Sequence, residues 1–590
     1  CGWFYNANQK DFKKIPGRNI GYWLSERMME LFEETSLLNY VITREGMATA
    51  NNDRFLRSWH EVGLSNFKIE KWFPYSKGGD FRRWYGNNYF VVDWADNGYS
   101  IINNIDIKTN RVRSHNYNGD FAFKKGFTWS SLSSGNFSCR INNEEFLFDS
   151  KGAKGFANTN DSILPIIAFL NSNVTQLFLN LLSPTLDYKV GDIIQVPYLI
   201  RLENYSVNKI SQDNISISRQ EWDSRETSWD FLQNELIRIK GELDNFEPAE
   251  GEVVDLANSN LIELAVQTYC DYWQEQFFTL HQNEEELNRQ FIDIYGLQDE
   301  LTSDVPLEDI TILKDETFVE NGELIFREDE IVIQLLSYAV GCLFGRYSLD
   351  KEGLVLANAG ETLADYVERV GKSQTELKLV PDADNVIPIL DEEWFDDDIV
   401  ASIHQFVATV WGEDELQTNI QYIEDVLGKD LRKFFARDFY KDHVKRYKKR
   451  PIYWMFSSPK GHFNVLIYMH RYTPDTLNLI LNSYLRPFMK KLQNNIDHQK
   501  DIIITGTAAE QARARKREER LQDILSDCTK YEYDILYPLA SERIAIDLDD
   551  GVLVNYNKFG NAIAPLTGVN DTKTKQKVKG FDWIDASTIK

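Results

Sequence analysis

Cysteine is scarce: Cys1, Cys139, Cys270, Cys342 and Cys528 are the only five in 590 residues, and no two form a Cys-x-x-Cys pair. Such spacing offers neither a zinc ribbon nor a disulfide framework, and it suits a reducing cytoplasm. Proline is sparse too, with 15 residues and no two adjacent. The (Asp/Asn/Ser)-Pro-Pro-(Tyr/Phe/Trp) tetrapeptide, with which an amino-methyltransferase holds its target amine and stacks the base, is therefore missing. There is no GxGxxG or Walker loop to cradle a dinucleotide or nucleoside triphosphate, no GxSxG elbow and no HExxH, and the eight histidines are scattered. The longest apolar run, Ile331–Phe344, is about 14 residues, too short to cross a bilayer. Lys10, Lys13 and Lys14 precede no apolar run of signal-peptide type. These absences predict a soluble cytoplasmic protein with no membrane contact, no metal and no catalytic residue of its own.

What is present is ample core-forming material, 43% hydrophobic and 13% aromatic, so wholesale disorder is excluded. The length predicts several domains, because single cores stop growing near about 250–300 residues. The net charge of −26 argues against a polyanion ligand only if it is evenly spread. It is not. Residues 1–205 hold 23 Lys/Arg against 21 Asp/Glu, 206–430 hold 14 against 51, 431–530 hold 21 against 10, and 531–590 hold 7 against 9. A very acidic middle, net −37, thus separates a near-neutral region from one of net +11. The acidic stretch reads as a solvated helical face or as a surface that docks other proteins.

Periodicity predicts an α+β, multidomain chain. A helix is expected over Ile20–Glu34. Short strands are expected at Tyr89–Trp94, Tyr99–Ile102, Phe121–Trp129, Phe146–Phe148 and Ile193–Tyr198, around one embedded helix, Ile163–Leu182. Mostly helical sequence follows, with candidates at Leu232–Leu243, Leu256–Leu280, Glu284–Tyr295, Ile331–Phe344 and Ile399–Phe439. A β-like patch is expected at Ile310–Leu313 and Glu323–Phe326. Residues 381–398 read as an acidic loop, Ile452–Phe456 and Phe463–Met469 as a hairpin, and Thr476–Tyr533 as long charged helices. The expected division is 1–42, a β-rich module with an embedded helix over 43–205, an acidic helical domain over 206–398, and a C-terminal helical domain with a hairpin and basic surface over 399–590. The chain opens at Cys1 and Gly2-Trp3-Phe4-Tyr5 as though within an element, which suggests either processing or, as the favoured reading, a piece of something longer.

Three stretches carry the chemistry of polyanion contact. Residues 71–85 interleave Lys71, Lys77, Arg82 and Arg83 with six aromatics, including Trp72, Tyr75 and Trp84, around a Gly-Gly turn. Cations there can neutralise phosphates or read guanine edges, and rings can stack on bases. The bland alternative is a packed corner with solvated cations. Lys124, Lys125, Thr128 and Ser130 put cations and hydroxyls at a strand edge, where phosphate ligands are common. Lys445, Arg446, Lys448, Lys449 and Arg450 form a dense run that also suits a helix C-terminus or pairing with the acidic middle. Arg513–Arg520 reads as a solvated helix face. Asp365, Glu376 and Lys378 loosely match a metal-nuclease pattern, a spacing that chance produces often.

Phrases running nearly end to end carry a family resemblance. They are Ala48–Arg57 (ATANNDRFLR), Lys71–Tyr85 (KWFPYSKGGDFRRWY), Gly126–Ser130 (GFTWS), Leu170–Asn173 (LNSN) and Ser183–Ile194 (SPTLDYKVGDII), followed by Glu226–Phe231 (ETSWDF), Tyr295–Leu301 (YGLQDEL), Ser337–Asp350 (SYAVGCLFGRYSLD), Arg450–Phe456 (RPIYWMF) and Asp547–Tyr556 (DLDDGVLVNY). The chain resembles the C-terminal half of PglX-type site-specific adenine DNA methyltransferases of BREX phage-defence systems. The resemblance implies that 1–42 is a connector from a preceding catalytic domain and 43–205 a target-recognition domain. It also implies double-stranded DNA and other BREX proteins as partners. S-adenosylmethionine would serve the full-length enzyme at a site not in this chain. The alternative is an acidic scaffold that docks partner proteins of the defence complex.

Overall fold

A computed structural model describes residues 11–18, 21–106, 108–116, 118–132, 135–159, 162–185, 187–199, 205–245 and 259–590. Cys1, the aromatic stretch Gly2–Tyr5 and the expected start of the helix at Leu256 lie outside them. Helix outweighs strand, 51% against 12%, and the strands form several small sheets, so the architecture is α+β and multidomain. The chain separates into two compact units, each assembled from non-contiguous stretches. One comprises residues up to Trp59, Asn66–Ser228 and Cys270–Arg327; the other comprises His60–Ser65, Trp229–Tyr269 and Glu328–Lys590.

The first unit contains two four-stranded sheets. In one, Trp72–Ser76 lies between Phe90–Asp93 (antiparallel) and Leu147–Phe148 (parallel), with Leu56–Ser58 beyond Phe90–Asp93. Its inner face supplies Leu56, Tyr75, Val92 and Leu147 to a core shared with Met47, Phe55 and Ile101. The other sheet is antiparallel, in the order Val41–Arg44, Lys154–Ala157, Gly126–Trp129, Cys139–Asn142.

Several expected elements differ. Of the helix expected over Ile20–Glu34, Ile20 lies outside the described residues and Glu26–Leu31 is helical, with Ser25 accepting a hydrogen bond from the Met28 N–H as its cap. Tyr99–Ile102 is helical rather than a strand. The strand expected over Ile193–Tyr198 is replaced by a short helix, Val190–Ile193, and turns. Ile163–Leu182 is two helices, Ile163–Leu170 and Asn173–Leu182, bent by 68°. The break has a local cause. Asn171 turns its amide onto the backbone of Cys139, with contacts of 2.8 and 3.0 Å, and Ser172 caps the second helix through the Thr175 N–H. Short polar side chains thus draw the backbone out of a helix that apolar spacing alone would continue. Helix Tyr205–Asp223 packs on Ile163–Leu170. The two helices expected over Leu256–Leu280 and Glu284–Tyr295 are one helix of 34 residues, Ile262–Tyr295. Glu323–Phe326 pairs with Thr317–Glu320, while Ile310–Leu313 forms no strand.

The second unit is mainly helical. Its hairpin, Tyr453–Ser457 with Asn464–Tyr468, gains a short third strand, Ile387–Pro388, from the acidic loop. Helix Glu328–Leu343 is buried almost throughout from Ile331 on, as its apolar composition predicts. Helices Arg486–Thr505 and Ala508–Lys530 pack together as a long hairpin. Among the described residues no single helix is long and apolar enough to cross a membrane.

Candidate nucleic-acid interface

The cation- and aromatic-rich stretch 71–85 turns mostly inward. Strand Trp72–Ser76 buries Trp72 and Tyr75, and the Tyr75 hydroxyl donates to Asp149 Oδ2 at 2.9 Å and Met47 O at 3.1 Å. The following Gly78-Gly79 turn has left-handed φ values of 81° and 149°. A β-carbon on Gly79 would come within 2.8 Å of the Asn87 side chain, so glycine is required there. Gly79 donates to Ser130 Oγ at 2.9 Å, and the same hydroxyl donates to Gly79 O at 2.8 Å.

Arg82 then enters the interior. It donates to Tyr85 O, Thr311 O, Ser218 O and Glu221 Oε2, the last at 2.6 Å. Arg83 pairs with Glu284, whose other oxygen accepts the Trp84 indole N–H at 2.7 Å. Burial alone would raise the Glu221 pKa, but the guanidiniums of Arg82 and Arg225 outweigh it and hold the carboxyl below its ordinary range. Trp72, Tyr75, Arg82, Arg83 and Trp84, expected at a DNA surface, are therefore interior residues. The physical reason is counter-ion supply. Carboxylates from the acidic middle, Glu221 and Glu284, meet the two guanidiniums, and a paired, hydrogen-bonded guanidinium can be buried where an unpaired one cannot.

Of the other expected contacts in this unit, Thr128 is buried against Ser76 Oγ and Ala153 O, both 3.0 Å away. Lys71 is half-buried, 4.0 Å from Asp93 and 5.3 Å from the Trp72 ring centroid. Lys77 is half-buried, and its pKa is lowered by that burial. Lys124 and Lys125 remain exposed. Lys124 Nζ lies 5.0 Å from the centroid of Phe121, and the Arg44 guanidinium lies 4.9 Å from that same centroid.

Strand register brings further cations together that linear reading does not connect. Arg44 pairs with Lys154, Lys154 with Thr128, and Thr128 with Arg140, so the four form one cross-strand row on a single face. Lys154 and Arg140 are fully buried, and burial pushes the Lys154 ammonium down to about 7 and Arg140 down to about 10. Only alignment of four strands reveals this row.

In the second unit, Arg446 is tied to Glu330 at 2.7 Å and Asp442 at 3.1 Å, and Arg450 lies 3.7 Å from Glu61. Lys445, Lys448 and Lys449 point outward. Of the Arg513–Arg520 face, Arg517 pairs with Glu392 and Arg520 with Asp391. Asp365 and Glu376 are helix caps. Asp365 accepts the Thr362 N–H at 2.7 Å and Glu376 the Ser373 N–H at 3.0 Å, each completing a capping box. Those local hydrogen bonds, first among the causes, lower both carboxyl pKa values.

Over nearly its whole length the chain is similar to part of two proteins named adenine-specific methyltransferases. It is 38% identical over 580 residues, 94% of its length, to "Adenine-specific methyltransferase PglX" of Lacticaseibacillus casei (strain Zhang). It is 33% identical over 593 residues, 96% of its length, to "Adenine-specific methyltransferase BrxX" of Escherichia coli O9:H4 (strain HS). These alignments cover 45% and 46% of the two proteins, so the chain spans about half the length of the curated relatives it matches. No family model matches the chain.

Proposed function

We propose that this chain is the DNA-engaging portion of a site-specific N6-adenine DNA methyltransferase of BREX type. In this reading the β-rich module over about 43–205 recognises the target, and the basic part of 399–590 holds the flanking duplex. The near full-length similarity to PglX and BrxX is the single observation that carries it. Neither a glycine-rich loop nor the Pro-Pro tetrapeptide of an amino-methyltransferase stands in this sequence. We assign the cofactor and methyl transfer to the remainder of the longer enzyme. Extruding an adenine costs a few kcal/mol, which contacts to the surrounding duplex can offset. Lys124 and Lys125, outward on the first unit, are suited to such contacts; Lys71, Lys77 and Ser130 are secondary to them, being half-buried or already bonded. Other BREX proteins are proposed as partners of the whole assembly.

Duplex binding by the chain, titrated against salt, tests this reading. The expected outcome is binding that weakens steeply with salt, and a K124A/K125A double variant whose log–log slope is shallower by about 1–2. Absence of duplex binding at low salt would contradict it.

A further inference from the structure

The run of lysines in 573–579 is far in sequence from 445–450, yet the fold brings Lys449 against the turn that leads into it. Helix Tyr440–Arg446 ends with the Lys449 N–H donating to Val444 O at 2.8 Å and the Lys448 N–H donating to Lys445 O at 3.0 Å. This is a Schellman-type ending, which calls for a left-handed residue, normally glycine. Here Lys448 and Lys449 take that conformation, with φ values of 48° and 62°, at a cost of about 1 kcal/mol or more each. Both side chains are exposed. The chain thus tolerates strain to present cations where glycine would relieve it.

Lys449 lies across Gly568: a β-carbon on that glycine would come 3.3 Å from the Lys449 ammonium. Gly568 opens the turn into helix Thr572–Lys579, whose sequence TKTKQKVK is half lysine. Asp571 is consumed as its cap, accepting the Thr574 N–H at 3.0 Å and lying low in pKa through such bonds. Val578 anchors the helix in a small core with Leu553, Val554 and Ile589. That anchor fixes one side, leaving Lys573, Lys577 and Lys579 exposed and Lys575 half-buried. Lys445, Lys449, Lys573, Lys575 and Lys579 make no ion pair among the described residues, in a chain of net charge −26 whose cations are widely paired.

We infer that Lys445, Lys449 and helix Thr572–Lys579 form one continuous contact surface for the phosphate backbone of double-stranded DNA. The inference rests on the proposed function and adds to it a surface that linear reading does not reveal. An eight-residue helix is about 12 Å long. One strand of B-DNA presents about three to four phosphates over that axial length, so the helix matches a run of phosphates rather than a single one. The contact is backbone-directed and carries no sequence preference, because ammonium groups act as point charges on phosphate.

The test uses the full chain, a random-sequence duplex and a salt titration, comparing the wild type with K573Q/K575Q/K579Q and with K445Q/K449Q. The expected result is an affinity roughly tenfold or more lower for the triple variant and a slope shallower by about 2–3, with a smaller change in the same direction for the double variant. Thermal unfolding of both variants should match the wild type, since the substituted groups are outside the core. Wild-type binding with unchanged affinity and slope in both variants would overturn this surface and leave the proposed function standing. No duplex binding by the wild type would overturn the proposed function itself.

Discussion

Arg83 illustrates how the same residue types serve either a surface or an interior. Its guanidinium pairs with Glu284, which also accepts the Trp84 indole, and both the arginine and the glutamate are buried. Removing one partner strands the other charge, so Arg83→Ala should lower unfolding free energy by about 3–5 kcal/mol in a denaturant titration. Exposed Lys125→Ala should stay within about 0.5 kcal/mol. Three buried histidines of the second unit make a pH prediction. Burial, followed by the nearby Arg346 guanidinium, holds His60 and His470 below the ordinary imidazole range, His470 at about 3; burial, then Arg446 and Arg346, does so for His443. A depressed imidazole pKa means that the unfolded chain binds protons first, so stability is full above about 6.5 and falls as pH drops. Asp382, raised by burial and then by Asp384, works in the opposite direction and offsets part of that fall. Denaturant titrations between pH 6.5 and 5 should therefore show stability falling as the pH drops. A flat profile would show that these imidazoles titrate normally.

Elements differ in how plainly they announce themselves. The hairpin of Tyr453–Ser457 and Asn464–Tyr468 was legible, because two β-rich runs flank a short polar turn. Helix Glu328–Leu343 was legible from its apolar length. The bend at Asn171-Ser172 was not, since its cause is a bond to a distant strand at Cys139. The candidate interface was legible only as composition. Sequence marks where cations and aromatics gather, but not that Glu221 and Glu284 would draw Arg82 and Arg83 inside. Nor does it mark that Lys449 meets Gly568. Asp365 and Glu376, which loosely resembled a metal pattern, belong to helix caps. Asp365→Ala should accordingly cost about 1 kcal/mol in denaturant titration, as the loss of a cap does, whereas a far larger loss would imply a role beyond capping.

At the scale of the whole molecule, net charge misleads and distribution informs. A chain of −26 keeps outward lysines on both units while its buried arginines consume part of the acidic excess. Similarity to PglX and BrxX over about half of each gives that distribution a purpose in the proposed reading. Backbone contacts would hold the duplex, and the β-rich module would choose the sequence. Whether the chain reads DNA in this way is decided by selecting bound duplexes from a randomised library with the full chain at moderate salt and sequencing them. Enrichment of one adenine-containing motif is the expected result; retention of duplexes with no enriched motif would refute the proposed reading.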